Sequence, residues 1–212
     1  MSDRIILLHG LWMRGFALAM LDKRLIEAGF DVHRFDYMSL AGTQERIRDR
    51  LRARMRELAA SAGSVHLVGH SLGGLLALRA CEDDVDLPAG RIVCLGSPLL
   101  GSAAARGLAA WGRGGEVLLG HNRGLLQSGF QRWNGQREVG VVAGRMAFGL
   151  GTMLGHLDGE HDGTVTVAET WLPGITDHCV IESNHVGLLF SADAARCVSD
   201  FLHTGHFVRP MP

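Results

Sequence analysis

Residues Ser64-Val65-His66-Leu67-Val68-Gly69-His70-Ser71-Leu72-Gly73-Gly74 decide the fold. A β-branched and apolar run ends at Val68, and an apolar stretch with helical spacing runs from Leu72 to Arg79. Between them stands a serine with glycine two places before it and two places after. A strand-to-helix turn this tight thrusts its central hydroxyl above the sheet edge, and larger flanking side chains would collide there. That arrangement is a nucleophile elbow. Ser71 is therefore the candidate nucleophile, and a parallel sheet is its expected setting.

On either side of the elbow, short β-rich runs alternate with helical ones. The strand candidates are Arg4–Leu8, Asp31–Tyr37, Ser64–Val68, Arg91–Gly96, Glu138–Ala143 and His178–Glu182. Several are continuous apolar runs, as expected for strands buried on both faces. Phe16, Met20, Leu21 and Leu25 share one helical face, with Gly29 as the stop. Thr43 caps a second helix whose apolar stripe is Ile47, Leu51, Met55, Leu58 and Ala62. Its six arginines, at 46, 48, 50, 52, 54 and 56, are interspersed with Glu45, Asp49 and Glu57 and read as a solvated face. A last helix spans about 192–202. The pattern predicts one α/β domain over 1–212, with a predominantly parallel central sheet of about six strands flanked by helices. The stretch from Gly101 to Gly155 breaks the rhythm and holds 14 of the 29 glycines. Its portion at about 102–137 is expected to form a lid-like insertion over the carboxyl edge of the sheet.

Composition narrows the function classes. With 212 residues, 47% apolar, 20% charged and a net charge of −1, the chain can bury one sizeable core. It offers no electrostatic reason to bind nucleic acid or an anionic membrane. No run approaches ~20 apolar residues, and no charged leader with an apolar core follows Met1. A cytoplasmic protein without integral membrane association is expected. Cys81, Cys94, Cys179 and Cys197 form no C-x-x-C pair and read as buried thiols.

A serine hydroxyl needs a base within reach, and the base needs an orienting acid. Asp162, in Leu157-Asp158-Gly159-Glu160-His161-Asp162-Gly163, is the candidate acid, with Asp158 its competitor. His185, in Ser183-Asn184-His185-Val186-Gly187 after the last strand, is the candidate base among eleven histidines. His178 falls in the strand itself, and His203 and His206 follow the last helix. The oxyanion hole falls to the backbone N–H groups of Leu11, after His9-Gly10, and of Leu72, at the start of a helix. Their side chains are left to shape an acyl pocket, and Trp12 is the candidate substrate-contacting aromatic. His156, Asp158, Glu160, His161 and Asp162 could be read as metal ligands. A short loop cannot turn all five inward, and no spaced Cys/His frame supports them, so no metal is expected.

With these residues placed, the chain resembles the α/β-hydrolases, and within them the small bacterial lipases and lipase-like esterases. The matching stretches are His9-Gly10-Leu11, Gly69-His70-Ser71-Leu72-Gly73-Gly74, Asp162-Gly163-Thr164-Val165 and Asn184-His185-Val186-Gly187. Gly96-Ser97-Pro98-Leu99-Leu100-Gly101-Ser102 matches a further segment of the group, with Leu99 where a histidine often stands. No strand precedes Arg4, so the likeness is to a trimmed form of the fold. It implies an ester hydrolase acting on a small-molecule acyl ester through Ser71, Asp162 and His185, with no cofactor. The same triad also suits a thioesterase or an acyltransferase, and a catalytically silent member would serve as a binding protein. Arg106, Arg113, Arg123 and Arg132 punctuate the 102–137 segment, which favours a cover for short- to medium-chain acyl groups over a lipid-docking surface. The oligomeric state is left open.

Overall fold

The computed structural model describes residues 3–60, 63–83, 86–148 and 157–208. Six parallel strands form one sheet: β1 (Arg4–Leu8), β2 (Asp31–Phe35), β3 (Val65–His70), β4 (Ile92–Leu95), β5 (Val139–Gly144) and β6 (Asp177–Ile181). Their order across the sheet is β2-β1-β3-β4-β5-β6. All six expected strands are present, with ends shifted by one or two residues.

Side-chain alternation on β1 divides the core in two. Ile6 and Leu8 face α2 (Gln44–Ala59) and α3 (Leu72–Cys81), whereas Ile5 and Leu7 face α1 (Ala19–Glu27) and the C-terminal helix (Ala192–Thr204). Both faces of the sheet are thus covered, which is why its central strands are built mostly of apolar residues, with His66 and His70 of β3 buried among them. Helix α3 is buried almost all round, from Leu72 to Cys81 with Arg79 the exception, and its sequence has no polar face. Helix α2 behaves as its spacing implies: Thr43 Oγ1 accepts from Arg46 N–H, and Ile47, Leu51, Met55 and Leu58 are buried. Ala62, the last of that stripe, lies outside the described residues.

Three expectations need correction. A 3₁₀ turn at Gly15–Leu18 precedes α1 and rotates the helix, so Leu18, Leu21 and Leu25 enter the core while Phe16 and Met20 stay exposed. The C-terminal helix runs to Thr204, so His203 belongs to it and stacks on Phe30 at 4.6 Å. The glycine-rich segment after β4 is helical despite its weak signal. It folds as α4 (Ala103–Ala109), α5 (Arg113–Leu119) and α6 (Arg123–Ser128). Ser102 Oγ accepts from Ala105 N–H to start α4, and tertiary packing of Leu108, Leu119, Leu125 and Leu126 compensates for the missing intrinsic helicity. After β5 come α7 (Val167–Thr170), β6 and the C-terminal helix, α8. No helix among the described residues is long and apolar enough to cross a membrane.

The strand order positions a site. The chain leaves β1 toward β2 on one side and returns to β3 on the other, so the connections after β1 and β3 diverge. A crevice opens where the carboxyl ends of such strands part. Leu8 of β1 pairs with Gly69 of β3, and His70 pairs with Leu95 of β4, which brings the His9-Gly10-Leu11 loop beside Ser71.

Packing of α8 on the sheet rests on one close approach. A Cβ at Gly140 would stand 2.7 Å from the Phe201 ring, so the bare strand makes room for a fully buried aromatic. Phe201→Ala is expected to cost roughly 3–5 kcal/mol, lowering Tm by on the order of 10 °C. Calorimetry checks this, and an unchanged Tm would show that the helix is not anchored there.

Candidate active site

Ser71 adopts φ 54° and ψ −119°, a conformation that L-residues rarely take. Its backbone N–H donates to Leu95 O at 2.9 Å, extending the β3–β4 ladder by one bond, and its carbonyl accepts from Gly74 N–H at 3.1 Å. The next residue, Leu72, begins α3. Its side chain is buried in the core and does not shape the site as expected, whereas Leu11 lines the cavity.

Asp162 and His185 meet across two loops. His185 Nδ1–H donates to Asp162 Oδ2 at 2.7 Å. The other carboxylate oxygen, Oδ1, accepts from Thr164 N–H at 2.9 Å and Val165 N–H at 2.8 Å. Backbone bonds repeat the tie, with His185 N–H donating to Asp162 O at 2.8 Å and Asp162 N–H to Val165 O at 3.0 Å. Asp162 is 1% exposed and His185 9%. The competitor Asp158 is exposed on the loop before. Of the two carboxylates, Asp162 is the one that engages the imidazole, through Nδ1, and His185 lines a cavity.

That cavity, about 410 Å³, is lined by Ser71 and His185 together with Leu11, Trp12, Met13, Pro98, Ala104, Ala105, Leu108, Leu119, Leu126, Val165 and Val186, among others. One wall is supplied by α4, α5 and α6. The strand-to-helix turn with its serine and the histidine held by Asp162 thus open on one largely apolar chamber. Residues 5–208 match the alpha/beta hydrolase family. The chain belongs to that family.

No curated protein matches the sequence. Similar solved structures include the mature form of Bacillus licheniformis lipase BlEst2, with 22% identity and a TM-score of 0.75 over 95% of this chain and 91% of that one. The lin2722 gene product of Listeria innocua gives 15% identity and a TM-score of 0.61, covering 96% and 94% of the two chains. A lipase-esterase related protein from Clostridium acetobutylicum gives 12% and 0.62, covering 97% and 94%. At such identities the likeness is one of fold.

This hydrolase pins the loop after β1 with Tyr37, which sequence patterns did not single out, and with Trp12 in a role beyond the substrate contact expected of it. Tyr37 Oη–H donates to His9 O, and the Tyr37 ring stacks on the buried His9 ring at 4.1 Å. Trp12, also at positive φ, donates its backbone N–H to Ser39 Oγ at 3.2 Å and its indole N–H to Leu118 O at 2.8 Å. Trp12 thereby joins the β1 loop to α5. Glu169 was missed as well. Its carboxylate accepts from Thr166 N–H at 2.8 Å, closing a capping box on α7, and from Ala103 N–H at the start of α4. The Thr166-x-x-Glu169 spacing could have revealed the first role; only the fold reveals the second.

Apolar side chains do surround the mouth, and the 102–137 segment also exposes Trp111, Val117 and Leu118, the last bonded through its carbonyl to Trp12. Trp12, Val186 and Phe148 are 48%, 50% and 77% exposed. Among the described residues no group of three or more His, Cys, Asp or Glu could hold a metal. His156 of the acidic stretch lies outside them, and His161 Nδ1 accepts from Gly163 N–H instead.

Buried histidines make the fold pH-sensitive. Burial, reinforced by His185, pushes His70 down to about 3, and burial pushes His66 down to about 4. Unfolded histidine titrates near ~6.5, so the unfolded chain takes up these protons first. Their contribution is fully present above that value and declines as pH falls toward the folded values. The unfolding free energy in urea should therefore drop between about pH 7 and 5, by up to ~1.4 kcal/mol per unit for each histidine. His66→Asn, which keeps an acceptor for Arg91 N–H, should flatten that slope. An equal slope in the variant would remove His66 from the cause.

Proposed function

We propose that the protein is a serine carboxylic-ester hydrolase. The observation that carries this is the 2.7 Å Asp162–His185 bond, opening on the cavity that also holds the strained Ser71. Ser71 Oγ attacks the acyl carbon as His185 Nε2 takes its proton. The backbone N–H groups of Leu11 and Leu72 hold the oxyanion, the second with the dipole of α3 behind it. His185 then protonates the departing alkoxide, leaving an acyl-serine. Water, deprotonated by the same histidine, attacks that ester and releases acid and enzyme. Asp162 keeps the Nδ1–H tautomer and stabilises the imidazolium formed in each half.

The cavity's chemistry sets the substrate class. None of the described residues lining it is Lys, Arg, Asp or Glu, so it suits an uncharged acyl chain. We assign the acyl wall to Ala104, Ala105, Leu108, Leu119 and Leu126, which makes the 102–137 segment the cover of the pocket. Trp12, half exposed at the mouth, is assigned a contact with the ester.

Ser71→Ala should lower kcat by on the order of 10⁶-fold, and Asp162→Asn by about 10⁴-fold. Asp158→Asn should be mild. Steady-state kinetics on p-nitrophenyl butyrate checks the ranking, and a stronger loss from Asp158→Asn would transfer the acid role. Across a series of p-nitrophenyl esters, kcat/KM should rise with acyl length as each methylene buries about 0.8 kcal/mol. It should peak at short to medium chains when the cavity fills. A rise that continued through long chains would contradict the assigned wall.

A further inference from the structure

His70 stands inside the elbow motif, yet the triad chemistry does not use it. Its Nε2 lies 2.9 Å from the carbonyl oxygen of His185. Only an N–H can face a carbonyl at that distance, so Nε2 carries the proton and donates. Nδ1 then carries a lone pair. It is buried and has no hydrogen-bond partner among the described residues. Across from it, a Cβ on Gly10 would stand 3.1 Å from Nδ1 and 3.2 Å from Ser71 Cβ. The His70 ring also packs against the His185 ring, with centroids 4.7 Å apart. This one side chain therefore touches the loop after β1 on one side and the base loop on the other.

We infer that His70 is a positioning residue that fixes the His185 loop relative to Ser71 and the β1 loop. The inference rests on the proposed triad and adds a residue to it. The peptide groups flanking His185 are held from opposite directions: its N–H by Asp162 O and its carbonyl by His70 Nε2–H. With Nδ1 on the Asp162 carboxylate as well, the imidazole is located by three bonds. Loss of the His70 bond leaves the acid–base pair intact but lets its loop drift relative to the serine. Small misplacements of a reacting group lower kcat steeply while leaving ground-state binding nearly unchanged. Burial and the neighbouring His185 keep His70 neutral, so no second positive charge opposes the imidazolium that forms on His185.

The test compares His70→Gln, His70→Asn and His70→Phe, with kcat counted per serine labelled by a fluorophosphonate. The Gln Nε2–H reaches about as far as the histidine Nε2–H, whereas Asn is too short and Phe has no donor. Gln is expected to keep kcat within about threefold, and Asn and Phe to lose about tenfold or more with KM nearly constant. Should Phe fail to fold, the Gln–Asn pair carries the comparison. Wild-type kcat in Asn or Phe, or a Gln variant as impaired as Asn, would overturn the inference. Ser71→Ala and His185→Ala run alongside: activity retained in either would overturn the triad, independently of how the His70 variants rank.

Discussion

A Cβ placed on Gly73 would lie 2.4 Å from the carbonyl oxygen of Leu8, and one on Gly69 would lie 2.3 Å from Gly74 N. The turn that carries Ser71 exists because neither atom is there. Strand β3, helix α3 and the end of β1 are pressed together at a distance that backbone alone can occupy. Ser71 takes up the strain, on the order of 1–3 kcal/mol for a residue in such a region. It is held there by its ladder bond to Leu95 and by a helix buried almost all round. The same closeness places Gly10 and Leu11 next to the serine. The elbow and the β1 loop are therefore one packing solution, built where the sheet changes direction.

The Asp162–His185 pair meets a different requirement. Asp162 is almost wholly buried, and a buried carboxylate must have its lone pairs engaged. Two backbone N–H groups and the imidazole engage them. Because the loop's own amides hold Oδ1, the orientation of Oδ2 toward His185 is set by the chain's local path. Glu169 extends that rigidity outward, linking α7 of the acid loop to α4 of the cavity wall.

Much of this was legible in the chain itself, for identifiable reasons. The strands could be read because burial on both faces leaves continuous apolar runs. Ser71 could be read because a tight turn imposes glycines at fixed offsets. Asp162 and His185 could be placed because parallel strands send their following loops to one edge. Other features could not be read. The helices α4 to α6 are short and glycine-rich and are stabilised by packing, which leaves no periodicity to detect. The turn before α1 rotated the helix by an amount that spacing does not encode, exposing Phe16 and Met20. His70 and Tyr37 each bond a backbone carbonyl and pack against a neighbouring histidine ring, and a lone histidine or tyrosine carries no signature of that.

Membership of the alpha/beta hydrolase family follows from the match over residues 5–208, and the fold agrees with those of the bacterial neighbours. The ester chemistry depends on whether Ser71 and the two N–H groups converge on one tetrahedral centre. The most direct measurement is a crystal structure of the protein inactivated by a p-nitrophenyl alkylphosphonate. Phosphorus bonded to Ser71 Oγ, with the phosphoryl oxygen within hydrogen-bond distance of both Leu11 N and Leu72 N, is the expected result. A protein that is not modified at Ser71, or a phosphoryl oxygen turned away from those two groups, would contradict it.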